Sequence, residues 1–565
     1  MFYSHLQRDG FPHLTKSDAD HAVNDNDDFE PGVSLSDNVI QETDIQQDDY
    51  HLIMNHTHVE GESSLLLGSR ESDLTHPWRE EWQGYQFNTL LSWLIESKKT
   101  AVVRPPSLEF VDTASFSKSQ RKVYDILYRH AFGNNFGHQL LMIVIGTAGT
   151  GKSFLINAIR QLFSSHDCSH RLRVTAPTGI AASSIQGCTI HSLLSLLVND
   201  IKGERLHSMQ LTLADVDFLI IDEYSFLSVA VIDSLDRRLR QVFPRKSDVP
   251  FGGLSILLCG DPAQLPPVRA QPAYAHTGSS EHLAARFHLF DKVVELDQPF
   301  RQMGDDPIQT HFRDVLARVA NCEARESDWQ WLQSRTPHCL TAAENFMFDN
   351  SKYIVSTNSV RNKINREKMT KLSAVMKIDD GDETVTCFDD CMLDGEGHDT
   401  NDLQLFAIGA EVMLTVNLWT DVGLVNGACG TVVDILKPDD NRKARIIMVN
   451  FPSYRGPSCS SQHPTTIPIT QIRFKNTNGI PLTLAWAVTI HKSQGLSLQH
   501  VTVDLGDREF SSGLTFVALS RAKSFSGLRI FPFDYNRLKR ITTGRYVQAR
   551  REEFNRLRNL AAQTL

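Results

Sequence analysis

Gly146-Thr147-Ala148-Gly149-Thr150-Gly151-Lys152-Ser153 sets three glycines ahead of a lysine and a hydroxyl, the pattern G-x-x-x-x-G-K-[ST]. Glycines let a loop wrap closely round a triphosphate with backbone N–H groups turned inward. The lysine neutralises charge on the terminal phosphates, and the serine can ligate Mg²⁺. Phe218-Leu219-Ile220-Ile221 runs into Asp222-Glu223. Asp222 is placed to hold the metal and Glu223 to take the proton of an attacking water. A third apolar run, Leu254 to Cys259, leads into Gly260-Asp261-Pro262-Ala263-Gln264, where Gln264 can reach a γ-phosphate or that water. These residues expect nucleoside triphosphate hydrolysis, with Ser153 and Asp222 as metal ligands.

Such groups meet only if the chain folds to bring them together, and the flanking residues supply the elements. Leu140 to Ile145 is a buried-strand pattern and Phe154 to Ile159 a helical one, so the glycine loop sits in a strand–loop–helix unit. Asp222 and Gln264 likewise fall at the carboxyl ends of apolar strands. Further on, 409–416, 423–435 and 445–451 are short alternating segments broken by Asn-Gly and Gly turns, which predicts a small β-barrel insertion. Residues 436–470, rich in Pro, Ser and Gly, read as loops.

Charge separates the ends of the chain. Residues 18–62 carry 13 Asp and Glu and no Lys or Arg; setting these aside from the formal −10 leaves about +3 for the rest of the 565 residues. The acidic segment has little apolar periodicity and is expected to be disordered. Its His56-Thr57-His58 lacks a flanking strand pattern and is not read as a metal pair. Trp78, Trp82, Trp93 and Leu90-Leu91 predict that 76–98 forms a short packed helix. The nine cysteines, of which Cys387 and Cys391 lie closest in sequence, specify neither a zinc site nor a disulfide framework, so an intracellular, reducing compartment is expected. No run approaches the roughly 20 apolar residues of a membrane span, and Met1 to His5 do not begin a secretory signal.

The remaining segments narrow the class. Thr175-Ala-Pro177-Thr178-Gly179 to His191-Ser192, Phe290 to Arg301-Gln302, Ile354-Val-Ser-Thr357-Asn358, Leu482 to His491-Lys492-Ser493-Gln494-Gly495, and Phe516 to Ser520-Arg521-Ala522 follow the hydrolytic motifs in order. Over residues 112–535 this order resembles the Pif-family DNA helicases of superfamily 1, the 5′→3′ relatives of RecD. The resemblance makes Gln120 an adenine-reading glutamine, and Arg301 and Arg521 arginines that reach the γ-phosphate from a second lobe. It adds Gln494 and Gly495 to the nucleotide-binding set. It assigns Pro177, Thr178, Gly179, Thr189, His191 and Ser192 to a DNA track on the first lobe, and Thr357, Asn358, His491, Lys492 and Ser493 to its continuation on the second. Pro262 and Tyr224 depart from the family's usual residues without removing a chemical group. The segment from Leu227 to Arg240 resembles the family's signature helix, and together with Phe251-Gly-Gly-Leu, Leu296-Asp-Gln and Asp328-Trp329 it is similar to Pif-like helicases carried by Helitron-type transposons.

The expected architecture is therefore α/β: two RecA-like P-loop NTPase lobes with a small SH3-like β-barrel insert and a disordered acidic tail. The tail covers 1–75 and a helical segment and linker 76–111. Lobe 1 covers 112–300, lobe 2 covers 301–407 and 479–540, the insert 408–478, and a C-terminal helix 541–565. The resemblance implies an ATP- and Mg²⁺-dependent 5′→3′ helicase acting as a monomer on single-stranded and forked DNA, in the nucleus, in repair, recombination, telomere maintenance or transposition. The rival expectation is a nucleotide-gated single-strand-binding protein that couples no unwinding.

Overall fold

The computed structural model describes residues 87–101, 110–135, 137–196, 201–268, 270–274, 281–298, 300–302, 306–372, 375–378, 385–386, 404–436, 446–474, 477–542 and 547–564. The acidic tail, His56, His58, Trp78, Trp82, Cys387 and Cys391 lie outside them. No described helix is long and apolar enough to cross a membrane.

Six parallel strands form the first sheet: β1 (Leu141–Gly146), β2 (Leu172–Ala176), β3 (Cys188–Thr189), β4 (Phe218–Ile221), β5 (Ser255–Gly260) and β6 (Lys292–Leu296), in the order β3-β2-β4-β5-β1-β6. Side chains of a strand alternate between faces. Ile143, Ile145, Leu219, Ile221, Ile256 and Leu258 accordingly enter one core with the helix Val229–Val242, while Met142, Val144, Phe218, Ile220, Leu257 and Cys259 enter another with the helices Lys118–Phe132 and Lys152–Ser165. Burial on both faces explains why these strands read as unbroken apolar runs. Parallel pairing also sends the carboxyl ends of β1, β4, β5 and β6 to one edge, where open α/β sheets bind ligands.

The second lobe's sheet starts at β7 (Lys352–Val355), after helices Pro307–Ala320 and Glu326–Gln333 that pack into the same core, and the chain then leaves it. The excursion contains β8 (Val375–Ile378), β9 (Val385–Thr386), β10 (Gln404–Phe406), β11 (Glu411–Leu414), β12 (Cys429–Leu436), β13 (Ile446–Asn450), β14 (Thr466–Thr470), β15 (Ile472–Phe474), β16 (Thr477–Gly479) and β17 (Leu482–Leu484). The chain returns as β18 (Ala487–Thr489), β19 (Val501–Asp504) and β20 (Leu528–Ile530), completing a parallel sheet β18-β7-β19-β20.

Within the excursion, β14-β13-β12-β11-β17 is an antiparallel sheet around its own apolar core, with a bulge between Val432 and Asp434. Its β17 reaches past the boundary expected at 478: Val412, Met413 and Leu414 pair with Leu484, Thr483 and Leu482. A three-residue strand is too short for alternation to show which sheet it joins. The expected N-terminal helix runs over Phe87–Thr100 and packs on this insert, with Leu90 against Val433, Ile446, Met448 and Cys459.

The C-terminal helix, Val547–Gln563, spans both lobes. Val547 belongs to the second lobe's core and Leu557 to the first lobe's. Beyond it, Thr564 Oγ1 accepts the Val293 N–H at 3.0 Å on edge strand β6, which satisfies an otherwise open edge.

One buried ion pair organises the loop between β19 and the following helix Leu514–Leu519. Glu509 takes the Arg537 guanidinium and accepts from Thr515 Oγ1 at 2.7 Å and Gly513 N at 3.2 Å. Both side chains of the pair are at most 3% exposed. Removing one partner strands a buried charge, so Arg537→Ala is expected to cost about 3–5 kcal/mol in chemical denaturation. A loss below about 1 kcal/mol would refute that account.

Candidate nucleotide site and nucleic-acid track

The phosphate loop joins β1 to the helix Lys152–Ser165, whose N-cap Gly151 has φ +80° and no side-chain cap. The N-terminal N–H groups of that helix are therefore available to an anion. Lys152 Nζ donates to Gly146 O at 2.7 Å and Thr147 O at 3.2 Å. Gly149, at φ +92°, accepts the Phe300 N–H at 2.7 Å, and a Cβ there would sit 2.3 Å from Arg301 Cβ. Only glycine fits a left-handed position so closely approached by another chain segment.

Three carboxylates face this loop. Asp222 follows β4, donating its N–H to Thr175 O at 2.9 Å and accepting the Glu223 N–H on Oδ1 at 3.0 Å. Burial raises its pKa and the Lys152 ammonium opposes the rise. Glu223 occupies the left-handed region at φ 52°, ψ 45°, a conformation that costs free energy in a non-glycine residue and clusters at functional sites. Its Oε2 is buried without a hydrogen bond, and burial together with the Asp222 charge pushes its carboxyl up to about 7. Asp261 after β5 accepts the Ala263 N–H at 2.9 Å on Oδ1 while its buried Oδ2 is unbonded, and burial raises it also. Asp261 was not among the residues read as catalytic, although it lies within the Gly-Asp-Pro-Ala-Gln segment.

Two guanidiniums complete the charge set. Arg301 lies on the crossover from β6 to the second lobe rather than within that lobe's sheet. Its Nη1 is buried and unbonded, and it feels Glu223 and Asp261. Arg521, 1% exposed, is held by its own lobe: Nε donates to Val517 O at 2.9 Å, Nη2 to Ser520 Oγ at 2.8 Å and Nη1 to Leu496 O at 3.3 Å. Burial and neighbouring Arg301 push it down to about 10, so it stays cationic at neutral pH. Between the two arginines, Gln302 Nε2 donates to Ala522 O at 3.3 Å.

Gln264 is buried and its Oε1 accepts from Gln494 Nε2 at 3.3 Å, a direct link between the lobes. Gln120 is fully buried. Its Oε1 closes a capping box with the Ser117 N–H at 3.0 Å, and its unbonded Nε2 points toward Gly151. The structure thus gathers Lys152, Asp222, Glu223, Gln264, Arg301, Arg521, Gln120 and Gln494 at one edge, whereas Gly495 falls nearer Ile180. Among the described residues no three His, Cys, Asp or Glu side chains form a metal-holding group.

The track residues divide. Thr178, Thr189 and Thr357 are helix N-caps, accepting from Ala181 N at 3.4 Å, Ser192 N at 3.2 Å and Val360 N at 3.4 Å. Ser192 Oγ donates to Thr189 O, and Ser493 Oγ to Ile490 O, each at 2.8 Å. The local geometry therefore already employs these hydroxyls, which also makes their positions rigid. Burial pushes His191 down to about 4, and lowers His491 and Lys492. His191 is consequently neutral near pH 7. His491 stacks on the half-exposed ring of Phe510 at 6.3 Å. The first-lobe turn meets the insert: a Cβ on Gly179 would lie 2.3 Å from Asn417 Oδ1, and one on Gly427 2.1 Å from Ile180 Cδ1. Pro177, Asn358 and Gly495 flank the same region by sequence. Phe510 and Asn417 escaped the sequence reading because no local pattern marks a ring or amide brought in from another element.

Comparison with known proteins identifies relatives of the chain. Residues 115–328 match the family model described as PIF1-like helicase. The chain is similar to the ATP-dependent DNA helicase PIF1 of Danio rerio (30% identical over 411 residues, 69% of this chain and 58% of that protein) and of Mus musculus (32% over 417 residues, 69% and 57%). It spans under two thirds of these relatives' length. Among solved structures it is similar to the Pif1 helicase from Candida albicans, with a TM-score of 0.57 at 25% identity over 79% of this chain and 99% of that one. A structure describing DNA unwinding at forked dsDNA by two coordinating Pif1 helicases gives 0.56 at 25% identity, with 79% and 98% covered. With two parallel-sheet lobes, the hydrolytic motifs at their junction and relatives across most of its length, the chain belongs to the PIF1-like helicase family.

Proposed function

We propose that the protein is an ATP-dependent DNA helicase that translocates 5′→3′ on single-stranded DNA and opens forked duplex. The observation that carries this is the convergence of Lys152, Asp222, Glu223, Asp261, Arg301 and Arg521 at the lobe junction, joined there by the Gln264–Gln494 bond. In this reading the loop amides and Lys152 bind the triphosphate and Glu223 accepts the proton of the attacking water. The buried, unbonded Glu223 Oε2 supports that role. Ser153 and Asp222 would hold Mg²⁺, which neutralises phosphate charge. Gln264 senses the γ-phosphate and passes its loss to Gln494. Alternate closing and opening of the junction then ratchets a strand between the Thr178–Gly179 turn and His491–Lys492. Opening a base step costs about 1.4 kcal/mol in stacking, within reach of one ATP per nucleotide.

ATPase measured with and without single-stranded DNA, beside unwinding of 5′-tailed and 3′-tailed forks, tests the reading. Stimulation by DNA and unwinding from a 5′ tail are expected. No stimulation would leave the nucleotide-gated binding protein as the better reading, and unwinding only from a 3′ tail would overturn the polarity. Mass photometry on the fork counts the bound copies, with one expected.

Gln120 gives base preference in this reading, because its unbonded Nε2 can donate to an adenine ring nitrogen. One buried hydrogen bond contributes about 0.5–1.5 kcal/mol. Gln120→Ala should therefore raise the KM for ATP up to about tenfold and leave that for GTP unchanged. An equal rise for both nucleotides would refute base reading.

A further inference from the structure

The sensor loop that follows β5 is clasped by a residue outside every motif. Arg550, on the C-terminal helix, is 2% exposed and uses all three nitrogens: Nε donates to Pro262 O at 3.0 Å, Nη2 to Gln264 O at 3.1 Å, and Nη1 to Ser512 Oγ at 2.8 Å. The first two acceptors belong to the first lobe and the third to the second. Gly513, at φ +97°, presses on the same loop; a Cβ there would lie 2.8 Å from Ala263 O and 3.2 Å from Arg550 Nη1. Ala263 and Leu265 pack into the second lobe's core rather than their own. The helix carrying Arg550 is anchored in both cores, through Val547 and Leu557.

We propose that Arg550 is a positioning residue for Gln264: through it the C-terminal helix fixes the sensor-loop backbone against Ser512–Gly513 of the second lobe. Lobe closure and hydrolysis then depend on this clasp. The inference rests on the proposed function for its catalytic consequence, and on contacts alone for the clasp itself. A planar guanidinium can serve two carbonyls of one loop and a hydroxyl beyond them in a single fixed plane. A lysine ammonium is a point charge and cannot reproduce that fork. Asp261, beside Pro262, also feels the Arg550 charge. Among the described residues Arg558, on the same helix, reaches the Phe554 ring and, at 3.5 Å, Asn321 Oδ1. It serves as the control.

The test uses the full chain as Arg550→Ala, Arg550→Lys and Arg558→Ala. Amide hydrogen exchange without nucleotide should accelerate across 261–266 and 511–515 in both Arg550 variants and stay at wild-type rates in Arg558→Ala. DNA-stimulated kcat should fall about 10- to 100-fold in Arg550→Ala, as expected when a supporting contact displaces a reacting group by about 1 Å. KM for ATP should stay within about twofold, because the phosphate loop is untouched. Arg550→Lys should restore little of the loss, and it carries both measurements if Arg550→Ala does not fold. Faster exchange confined to 547–563, or kcat equal to wild type, would overturn the proposal. Absence of DNA-stimulated turnover in the wild type would instead overturn the proposed function, while the exchange arm would still decide the clasp.

Discussion

Lys152→Ala is expected to lower ATP turnover about 10³-fold, the scale seen when one preorganised electrostatic donor is removed from a catalytic site. Lys152 is the cation that acts on all three buried carboxylates: its ammonium opposes the pKa rise of Asp222, Glu223 and Asp261 alike. Without it, the loop loses its charge for the triphosphate, and Asp222 and Glu223 lose the neighbour that favours their ionised forms. Nucleotide binding and the ionised fraction of the base should therefore fall together, raising the Kd for nucleotide as well as lowering kcat. The fold should survive, because among the described residues the Lys152 ammonium bonds to the nearby carbonyls of Gly146 and Thr147. Steady-state ATPase, nucleotide titration and circular dichroism on one preparation check all three statements. Turnover within about tenfold of wild type would show that the loop is not the hydrolytic site.

Legibility in the sequence followed the range of the interactions. The phosphate loop and the Asp222-Glu223 pair were readable because strand, loop and helix are consecutive and their signals local. Both faces of the first sheet were readable as apolar runs. What escaped involves partners far apart in the chain: Arg550 bonds to Gln264 across 286 positions and Gln494 to Gln264 across 230. No periodicity or spacing encodes such contacts. β17 was misplaced for a related reason, since only its pairing with β11 shows that Leu482–Leu484 closes the insert's sheet.

The track illustrates a different shortfall. Thr178, Thr189 and Thr357 were singled out as strand contacts, and each is a helix N-cap. The two roles are compatible, because a capped N-terminus presents backbone N–H groups at a fixed place and those groups suit a phosphate backbone. The hydroxyls themselves are engaged, so the amides of these turns are the better candidates for the grip. Replacing the threonines would then act through helix stability as much as through DNA.

The second large effect concerns which arginine acts on the γ-phosphate. Arg301→Ala is expected to lower kcat about 10³- to 10⁵-fold, the range for an arginine that stabilises a phosphoryl-transfer transition state, with nucleotide affinity changed far less. The two guanidiniums differ in what they have left to give. Arg521 is committed to Val517 O, Ser520 Oγ and Leu496 O within its own lobe, and reaching a phosphate means surrendering those bonds. Arg301 keeps a buried Nη1 without a partner, close to Glu223 and Asp261. Its backbone neighbour Phe300 is already tied to Gly149 of the phosphate loop. A desolvated, unbonded donor beside the attacking base is preorganised for charge that develops only in the transition state, and such an interaction raises kcat rather than affinity. Arg301→Lys should recover little, because the charge returns without the fork. Arg521→Ala, by contrast, should lower stability as well as turnover, since it empties a fully buried site. Single-turnover hydrolysis with a bound fluorescent nucleotide separates these outcomes. If Arg301→Ala kept kcat within about tenfold while Arg521→Ala lost it without destabilisation, the assignment of the two arginines would be reversed.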